Sequence, residues 1–419
     1  MSVSPTTTLT TTTIDSSTLT NKVIFGYQGW FSCPGDGGGL PDSSNWFHWF
    51  DFNSTPTTAS LTVDFWPDTS ELTPDEQCVT DITLPDGRSL VAYSSYNTQT
   101  VLRHFQWMGE YGIDGVELQR FLWEDISPVE RQFRDQVLAN VSLGAEKYGR
   151  VFYVRYDPPN GDLEVFKNDW PYLVDVLKVT ENPRYLHHNG LPLVGIFGLG
   201  FIDDDIEPWQ AMDFIEFFQS NPNPRYRATV VGGIPSYWRT LSRDSRSDPA
   251  WAAVYRSLDV ISPWSVGRFT NEVDANIYMN EVIRPDLAET ARLGIDYMPT
   301  VYPGYSAANL AALRGESSPR NTIPRNGGQF YWHQVYNALR AGADMLYVSM
   351  FDEVDEGTAM FKLVETRSDL PTGDFLIPLD VDGYSLPSDW YLLLGRETGK
   401  ALRHEIPLSP EMPLEFPPD

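Results

Sequence analysis

Cysteine is nearly absent from this chain of 419 residues: only Cys33 and Cys78 occur, so at most one disulfide can form and the fold is not a disulfide-built scaffold. No CxxC and no Cys/His cluster is present, so no structural zinc is expected. Positive charge is scarce too. Thirty Lys and Arg face 57 Asp and Glu, a formal net charge of -27, which repels phosphate backbones and anionic membranes and disfavours a nucleic-acid or membrane partner. No apolar run approaches the ~18 residues needed to span a bilayer. The N-terminus lacks the basic, apolar and cleavage-site order of a signal peptide, which implies a cytoplasmic chain, or a secreted one whose leader was removed. There is no GxSxG, and neither cysteine sits in a motif that places it beside a base, so a Ser or Cys nucleophile finds no support.

Apolar and aromatic mass is ample: 41% of residues are hydrophobic and 13 Trp, 21 Tyr and 22 Phe are present, enough for a large core. The first 20 residues are almost all Ser and Thr with scattered aliphatics, and are read as a flexible tail (1–20). Residues 21–405 are expected to form one catalytic domain, and 406–419 a C-terminal extension. Within the domain, eight short apolar runs read as strands: Val23 to Tyr27, Gly115 to Gln119, Val151 to Tyr156, Pro192 to Phe197, Ala228 to Gly233, Val260 to Trp264, Tyr297 to Tyr302 and Met345 to Phe351. Helix-like segments with apolar spacings of three and four lie between them, including Thr100 to Tyr111, Val129 to Lys147, Pro208 to Phe218, Asp274 to Leu293 and Phe330 to Ala341, and Trp390 to Leu402 follows the last strand. Strand followed by helix, eight times, predicts an α/β fold of the (β/α)8 TIM-barrel type. The rival, an open doubly wound sheet, lacks its glycine-rich phosphate fingerprint after the first strand.

The first connection, from Gln28 to about Asn97, is by far the longest and holds Trp30, Phe31, Trp46, Phe47, His48, Trp49, Phe50, Phe65 and Trp66. A loop of this size is functional or folds on itself as a subdomain. In a barrel it sits on the C-terminal face, where active sites are built.

Directly after the eighth strand comes FDEVDEGT, Phe351 to Thr358, with four acids: Asp352, Glu353, Asp355 and Glu356. Glu353 and Glu356 are three apart, so a helical turn puts both carboxylates on one side of the chain. Crowded carboxylates resist ionising together, which yields one acid and one base near neutral pH, the pair that cleavage of a glycosidic bond requires. An acidic, solvated helix start gives the same letters, and so does a divalent-cation site, although the EF-hand spacing is lacking. Aromatics in or near strand ends and the loops after them, Trp30, Trp46, Trp49, Trp66, Trp238, Trp264, Tyr302 and Tyr305, suit the apolar faces of sugar rings, while core packing is the alternative for about half of them. Candidate polar contacts are Tyr27, Gln28, His48, Asp64, Gln119, Arg120, Arg155, Asp157, Arg325 and Asp352; the arginines could equally pair with surface carboxylates, and Asp64 could be a turn former. Asn53 in NST and Asn140 in NVS fit the glycosylation pattern, Asn140 within a helix. No cofactor is required for acid/base chemistry of this kind, and no metal is assigned.

Several segments together resemble the clan of barrel glycosidases that holds glycoside hydrolase family 99, the endo-α-mannosidases, and family 71, the α-1,3-glucanases, most nearly a 71/99-like, xylosidase/arabinosidase-like branch. They are GYQGWF (Gly26 to Phe31), NWFHWF (Asn45 to Phe50), VDFWPD (Val63 to Asp68), HFQWMGEYGIDGVELQRF (His104 to Phe121), TVYPGYS (Thr300 to Ser306), IPRNGGQFYW (Ile323 to Trp332) and MFDEVDEGTAMFK (Met350 to Lys362), in barrel order. The family 99 motif reads approximately NEWHEGT. The resemblance implies that Glu353 draws the proton from the substrate 2-hydroxyl, which closes an anhydrosugar, and that Glu356 protonates the leaving oxygen and then activates water. Gly357 would allow the turn behind them. Asp352, Val354 and Asp355 replace the family's Asn, Trp and His, so mannose specificity is not carried over, and direct inversion, as in family 71, stays open. The expectation is therefore a glycoside hydrolase acting on an α-linked oligo- or polysaccharide. Its rivals are a carbohydrate-binding protein on a catalytically retired barrel and a metal-assisted hydrolase using the Asp352 to Glu356 cluster.

Overall fold

The computed structural model describes residues 12–40, 46–52, 54–158 and 163–417. Eight parallel strands form a ring: β1 (Val23–Tyr27), β2 (Gly115–Arg120), β3 (Val151–Tyr156), β4 (Leu191–Phe197), β5 (Thr229–Pro235), β6 (Val260–Trp264), β7 in two short pieces (Asp296–Tyr297 and Thr300–Val301) and β8 (Leu346–Val348). The break in β7 follows from Pro299, which has no N–H to give a ladder. Before it, the Met298 N–H reaches the Ile261 carbonyl at 2.8 Å; beyond it, the Pro299 carbonyl accepts the Tyr347 N–H at 3.1 Å. One half of β7 thus pairs with β6 and the other with β8, and β8 closes the ring on β1 with Val23 opposite Leu346. Every residue of β1, β2, β3 and β5 is buried, as expected for parallel strands covered by helices outside and side chains within. The (β/α)8 barrel read from the sequence is the fold.

The helices are α1 (Thr98–Glu110), α2 (Pro128–Tyr148), α3 (Glu164–Asp175), α4 (Pro208–Gln219), α5 (Trp251–Tyr255), α6 (Glu272–Tyr278 and Arg284–Leu293 around a π turn at Met279–Ile283), α7 (Ala308–Leu313), α8 (Gln329–Ala341) and α9 (Trp390–Leu402). Local signals set their ends. Ser127 caps α2 by accepting the Glu130 N–H at 3.2 Å, the Glu130 carboxylate returns to the Ser127 N–H at 2.9 Å, and Gly149 takes the left-handed stop at φ 64°. Three helices, α3, α5 and α7, were not among the expected segments; α3 contains Pro171, and α5 and α7 span only five and six residues.

The long first connection does fold on itself. Its strands Cys78–Thr83 and Ser89–Ala92 pair antiparallel, and Cys33 is disulfide-bonded to Cys78 across 45 residues of sequence. The Trp49 ring lies 4.3 Å from Phe31, 4.9 Å from Trp66 and 5.2 Å from Tyr93, forming an aromatic core for this subdomain.

The flexible-tail reading fails from residue 12 onward, where few but well-placed apolar and polar groups fix the chain to the barrel. The Ile14 N–H bonds the Gly149 carbonyl at 2.9 Å, the Leu19 N–H bonds His188 Nδ1 at 3.1 Å, and the Leu19 side chain is fully buried. Residues 1–11 lie outside the described residues, as do Asn45 and the Asn53 sequon. The segment after 405 also docks: Phe416 stacks on Tyr384 and Trp390, and the Ser409 carbonyl accepts Trp332 Nε1–H at 3.0 Å. Asn140 is no glycosylation acceptor in this fold, being buried in α2 with its amide bonded to the Tyr96 carbonyl at 3.0 Å and accepting from Thr98 at 2.8 Å. Among the described residues no helix is long and apolar enough to cross a membrane.

Candidate active site

β8 ends at Val348 and the chain turns across the C-terminal mouth of the barrel, carrying all four acids with it. Asp352 is fully buried and faces the start of the first connection, where its two oxygens accept the backbone N–H groups of Gln28 at 2.7 Å and Gly29 at 2.9 Å. Glu353, next along, is also buried; Gln28 Nε2 donates to its Oε1 at 2.9 Å and the Thr358 hydroxyl to its Oε2 at 3.0 Å. Asp355 approaches His48 Nδ1 at 3.4 Å. Glu356 keeps part of its surface accessible.

Protonation follows from this crowding. Burial, reinforced by Glu356, Asp355 and Asp352, pushes the Glu353 carboxyl well above the usual carboxylate range. Glu356 is pushed up to about 7, first by burial and then by Asp355, against a smaller opposing pull from Arg314. Its residual exposure and its strong desolvation are compatible: one edge meets solvent while the remaining sides meet protein and other carboxylates. The two glutamates therefore titrate as a pair that retains a proton near neutral pH. Burial likewise raises Asp352 to about 7, despite its two backbone donors.

Around the acids lies a partly open aromatic rim. His48, held at φ 63°, stacks on Trp30 at 3.8 Å and 5°, and Trp30 stacks in turn on Phe121 at 5.3 Å. Across the mouth, Trp264 packs edge-on against Phe197 at 5.0 Å. The Tyr305 phenol is raised by burial and by Glu356 and Glu353, which puts its ring within their field. Asp157, one turn of strand above Arg155, is raised to about 6 by burial.

Below the rim, inward-facing residues of adjacent strands form a polar layer. Arg155 Nη1 donates to Glu117 Oε2 at 2.7 Å and to the Tyr347 hydroxyl at 2.9 Å. Two glycines make room: a Cβ on Gly195 would lie 2.4 Å from Glu117 Oε1, and one on Gly26 would lie 2.3 Å from the Tyr347 hydroxyl. Arg155 is thus a floor residue beneath the mouth, covered by Phe197, whose ring its guanidinium faces at 4.5 Å.

Of the residues expected at the site, Gln28, His48, Tyr305, Asp352, Glu353 and Glu356 come together, with Gln119, Asp157, Arg155 and Trp264 around the mouth. Seven serve the fold instead. Tyr27 points out of the barrel and bonds His104 Nδ1 at 2.8 Å. Trp49 and Trp66 are buried in the subdomain core, their indole N–H groups on the carbonyls of Tyr93 and Val91 at 2.9 and 2.8 Å. Asp64 caps α7 by accepting the N–H groups of Ala308 and Asn309 at 2.8 and 2.9 Å, with Arg320 at 3.1 Å. Arg120 points outward between α2 and α3 and is neutralised by Asp169 at 2.7 Å and Asp135 at 2.8 Å. Tyr302 is buried with its hydroxyl on the Phe269 carbonyl. Arg325 is buried under the acid-bearing turn, donating to the Gly357 carbonyl at 2.8 Å and the Ala359 carbonyl at 2.7 Å.

Trp30, expected among the sugar-facing aromatics, stands in the rim, and the site also includes residues that were not singled out for it: Phe197, Asp355 as partner of His48, Thr358, and Glu117. Strand alternation could have found Glu117, two residues before Gln119 on the same inward face. Among the described residues, no group of three or more His, Cys, Asp or Glu is disposed to hold a metal ion.

No protein-family model matches the chain, and no curated protein does. Solved structures do. A family 99 endo-α-mannosidase from Bacteroides thetaiotaomicron, solved in complex with bis-tris propane, superposes with a TM-score of 0.64 at 17% identity, covering 92% of this chain and 99% of that one. A second structure of a family 99 endo-α-mannosidase from the same organism gives 0.63 at 16% identity over 92% and 99% of the two chains. A glycoside hydrolase-like protein gives 0.55 at 12% identity over 92% and 96%. The chain therefore shares a barrel fold, over nearly its whole length, with proteins of the glycoside hydrolase type.

Proposed function

We propose that the protein is a glycoside hydrolase that cleaves an α-linked glycan with Glu353 and Glu356 as its acid/base pair. The observation that carries this reading is the asymmetry of two neighbouring carboxyls at the C-terminal end of β8. Glu353 is pinned by donors from Gln28 and Thr358, whereas Glu356 is partly open to the mouth. Burial and the neighbouring carboxyls raise Glu353 the more strongly of the two even with the Thr358 hydroxyl bonded to it; the Gln28 amide adds a second donor that favours its ionised form, and we assign it the charge. Glu356 then gives its proton to the glycosidic oxygen as the bond from the anomeric carbon to that oxygen breaks. Glu353 takes a proton either from the 2-hydroxyl, which attacks the anomeric carbon and closes an anhydrosugar that water later opens, or from water itself, which attacks directly. Four carboxyls at the mouth suit the positive charge that develops on the sugar ring. The shared fold with the family 99 endo-α-mannosidases supports a glycan substrate.

The test is an NMR-monitored digestion of α-linked mannans, glucans, xylosides and arabinosides with wild type and Glu356→Gln. Cleavage by wild type alone is expected, with the first anomer formed distinguishing retention through the anhydrosugar from direct inversion. Binding of a glycan by both proteins with cleavage by neither would contradict the proposal and favour a carbohydrate-binding protein.

A further inference from the structure

The N-terminal face of the barrel, opposite the acids, carries a cleft of about 630 Å³ between residues 12–22, the starts of β2 and β3, and the end of α9. Five cations line it: Lys22, Arg150, Arg396, Lys400 and Arg403. The four acids of the same lining are already engaged. Asp114 accepts from Arg403 at 3.1 Å and Glu405 accepts from it at 2.8 Å. Asp15 takes the Ser17 N–H at 2.9 Å and hydroxyl at 3.0 Å, and Glu110 takes the Gln106 amide at 2.7 Å. Arg396 and Lys400 share Glu397, behind the lining, at 2.8 and 2.9 Å. Two cations are left with no carboxylate in ion-pair reach among the described residues. Arg150 is buried and gives its hydrogens to the carbonyls of Tyr148, Ile113 and Thr12, which do not neutralise it. Lys22 is only 5% exposed, and its ammonium makes neither a hydrogen bond nor an ion pair among the described residues.

A buried charge is paired in nearly every fold, because leaving it unpaired forfeits its hydration without return. Burial pushes the Lys22 ammonium below its ordinary value, against the pull of Asp114 and Asp15, and Arg403 adds to the push. Water in the cleft can accept the three hydrogens of Lys22, but it cannot offset the charge that Lys22 and Arg150 bring together. We infer that the cleft binds a doubly charged tetrahedral oxyanion, phosphate or sulfate, free or carried on a sugar. Lys22 meets it from the start of β1 and Arg150 from the start of β3. From α9 come Nη2 of Arg403 and both terminal nitrogens of Arg396, none of them bonded among the described residues. Cations from three elements suit a group with oxygens on every side better than a flat carboxylate. The cleft has room for a sugar ring beside the anion. No residue of the catalytic mouth takes part, so the inference is independent of the glycosidase reading.

The experiment is a calorimetric titration of the whole protein with inorganic phosphate, inorganic sulfate and glucose 6-phosphate, with chloride holding the ionic strength equal so that general screening cancels. At least one of the three is expected to bind with a dissociation constant of about 1 mM or tighter. Lys22→Met, which keeps the apolar stem and removes the charge, is expected to weaken that binding about tenfold or more. Arg396→Gln, on the half-buried side of the cleft, is expected to weaken it about threefold and carries the test if Lys22→Met does not fold. Saturable binding of none of the three anions would overturn the inference, as would affinity undiminished in the folded variants. The two sources separate within a positive result: glucose 6-phosphate bound more tightly than inorganic phosphate assigns a phosphorylated sugar, and equal or weaker binding assigns the free anion.

Discussion

Gln28 touches two of the four acids at once: its backbone N–H is 2.7 Å from Asp352 and its side-chain amide 2.9 Å from Glu353, so the end of β1 fixes the turn that follows β8. The first and last strands of the barrel are neighbours in the ring, which is why residues 325 apart in sequence meet at one carboxyl. Loss of the amide in Gln28→Leu should lower kcat roughly tenfold to a hundredfold. Removing a donor to a carboxylate also raises its pKa, so the acidic limb of the kcat/KM profile should move to higher pH. A profile that coincides with wild type would remove Gln28 from this role.

Arg325 offers a second test of positioning. Its guanidinium lies between the rings of Phe65 and Tyr391, at 4.6 and 4.5 Å, and holds the carbonyls on either side of Thr358. Arg325→Met should cost about 2–4 kcal/mol of stability by leaving buried carbonyls unpaired, and should lower kcat with little change in KM. Arg325→Lys should restore part of both. A large rise in KM with kcat intact would mean that the guanidinium contacts substrate.

The acid cluster makes the fold pay for its chemistry, and the sign can be checked. Glu356 has its folded pKa raised from 4.5 to about 7, so the folded protein binds more protons than the unfolded chain between those values. The penalty is absent below the unfolded value and grows as pH rises towards 7, where it reaches roughly 2 kcal/mol after allowance for its partial exposure. Glu356→Gln should therefore be more stable than wild type at pH 8 and nearly equal to it at pH 4. Thermal melts at the two pH values decide, and a stabilisation that is the same at both would contradict the shifted pKa.

Much of this arrangement was legible in the chain. Eight apolar runs separated by helix-period segments specified the barrel, and the run Asp352 to Glu356 after the last of them marked the end of the barrel where the carboxyls crowd. The misplacements have two physical sources. Tyr27 and Arg120 sit at strand ends, but strand residues alternate, and with Gly26, Gln28, Glu117 and Gln119 facing inward these two had to face the helices. Asp64, Trp49 and Trp66 lie in the long first connection, whose internal packing has no period to read. Asp64 caps a helix 244 residues further on, a partnership that only the folded chain reveals. The docking of residues 12–20 was missed for a related reason: a Ser/Thr-rich composition hides the single buried Leu19 that anchors it.

The disulfide tests the first connection as a unit. Cys33 and Cys78 close a stretch of 45 residues that includes His48 and Phe47, with Trp30 and Phe31, the other rings against His48, directly before it. Reduction should destabilise this subdomain by up to about 4 kcal/mol on the loop-entropy model. Because Trp30 and His48 form one wall of the mouth, kcat/KM should fall with it. A melt unchanged by dithiothreitol, with mass spectrometry confirming two free thiols, would show that the packing of Phe31, Trp49 and Tyr93 suffices alone.

The most direct measurement of the proposed chemistry is the leaving-group dependence of Glu356→Gln. A general acid matters only when the departing oxygen needs a proton. With a sugar or alkyl leaving group, the variant should lose on the order of a hundredfold or more in kcat. With a dinitrophenyl leaving group, whose oxygen departs unprotonated, it should retain most of the wild-type rate of glycosidic cleavage. Equal losses for both leaving groups, or full activity of the variant on the natural linkage, would contradict the assignment of Glu356 as the acid.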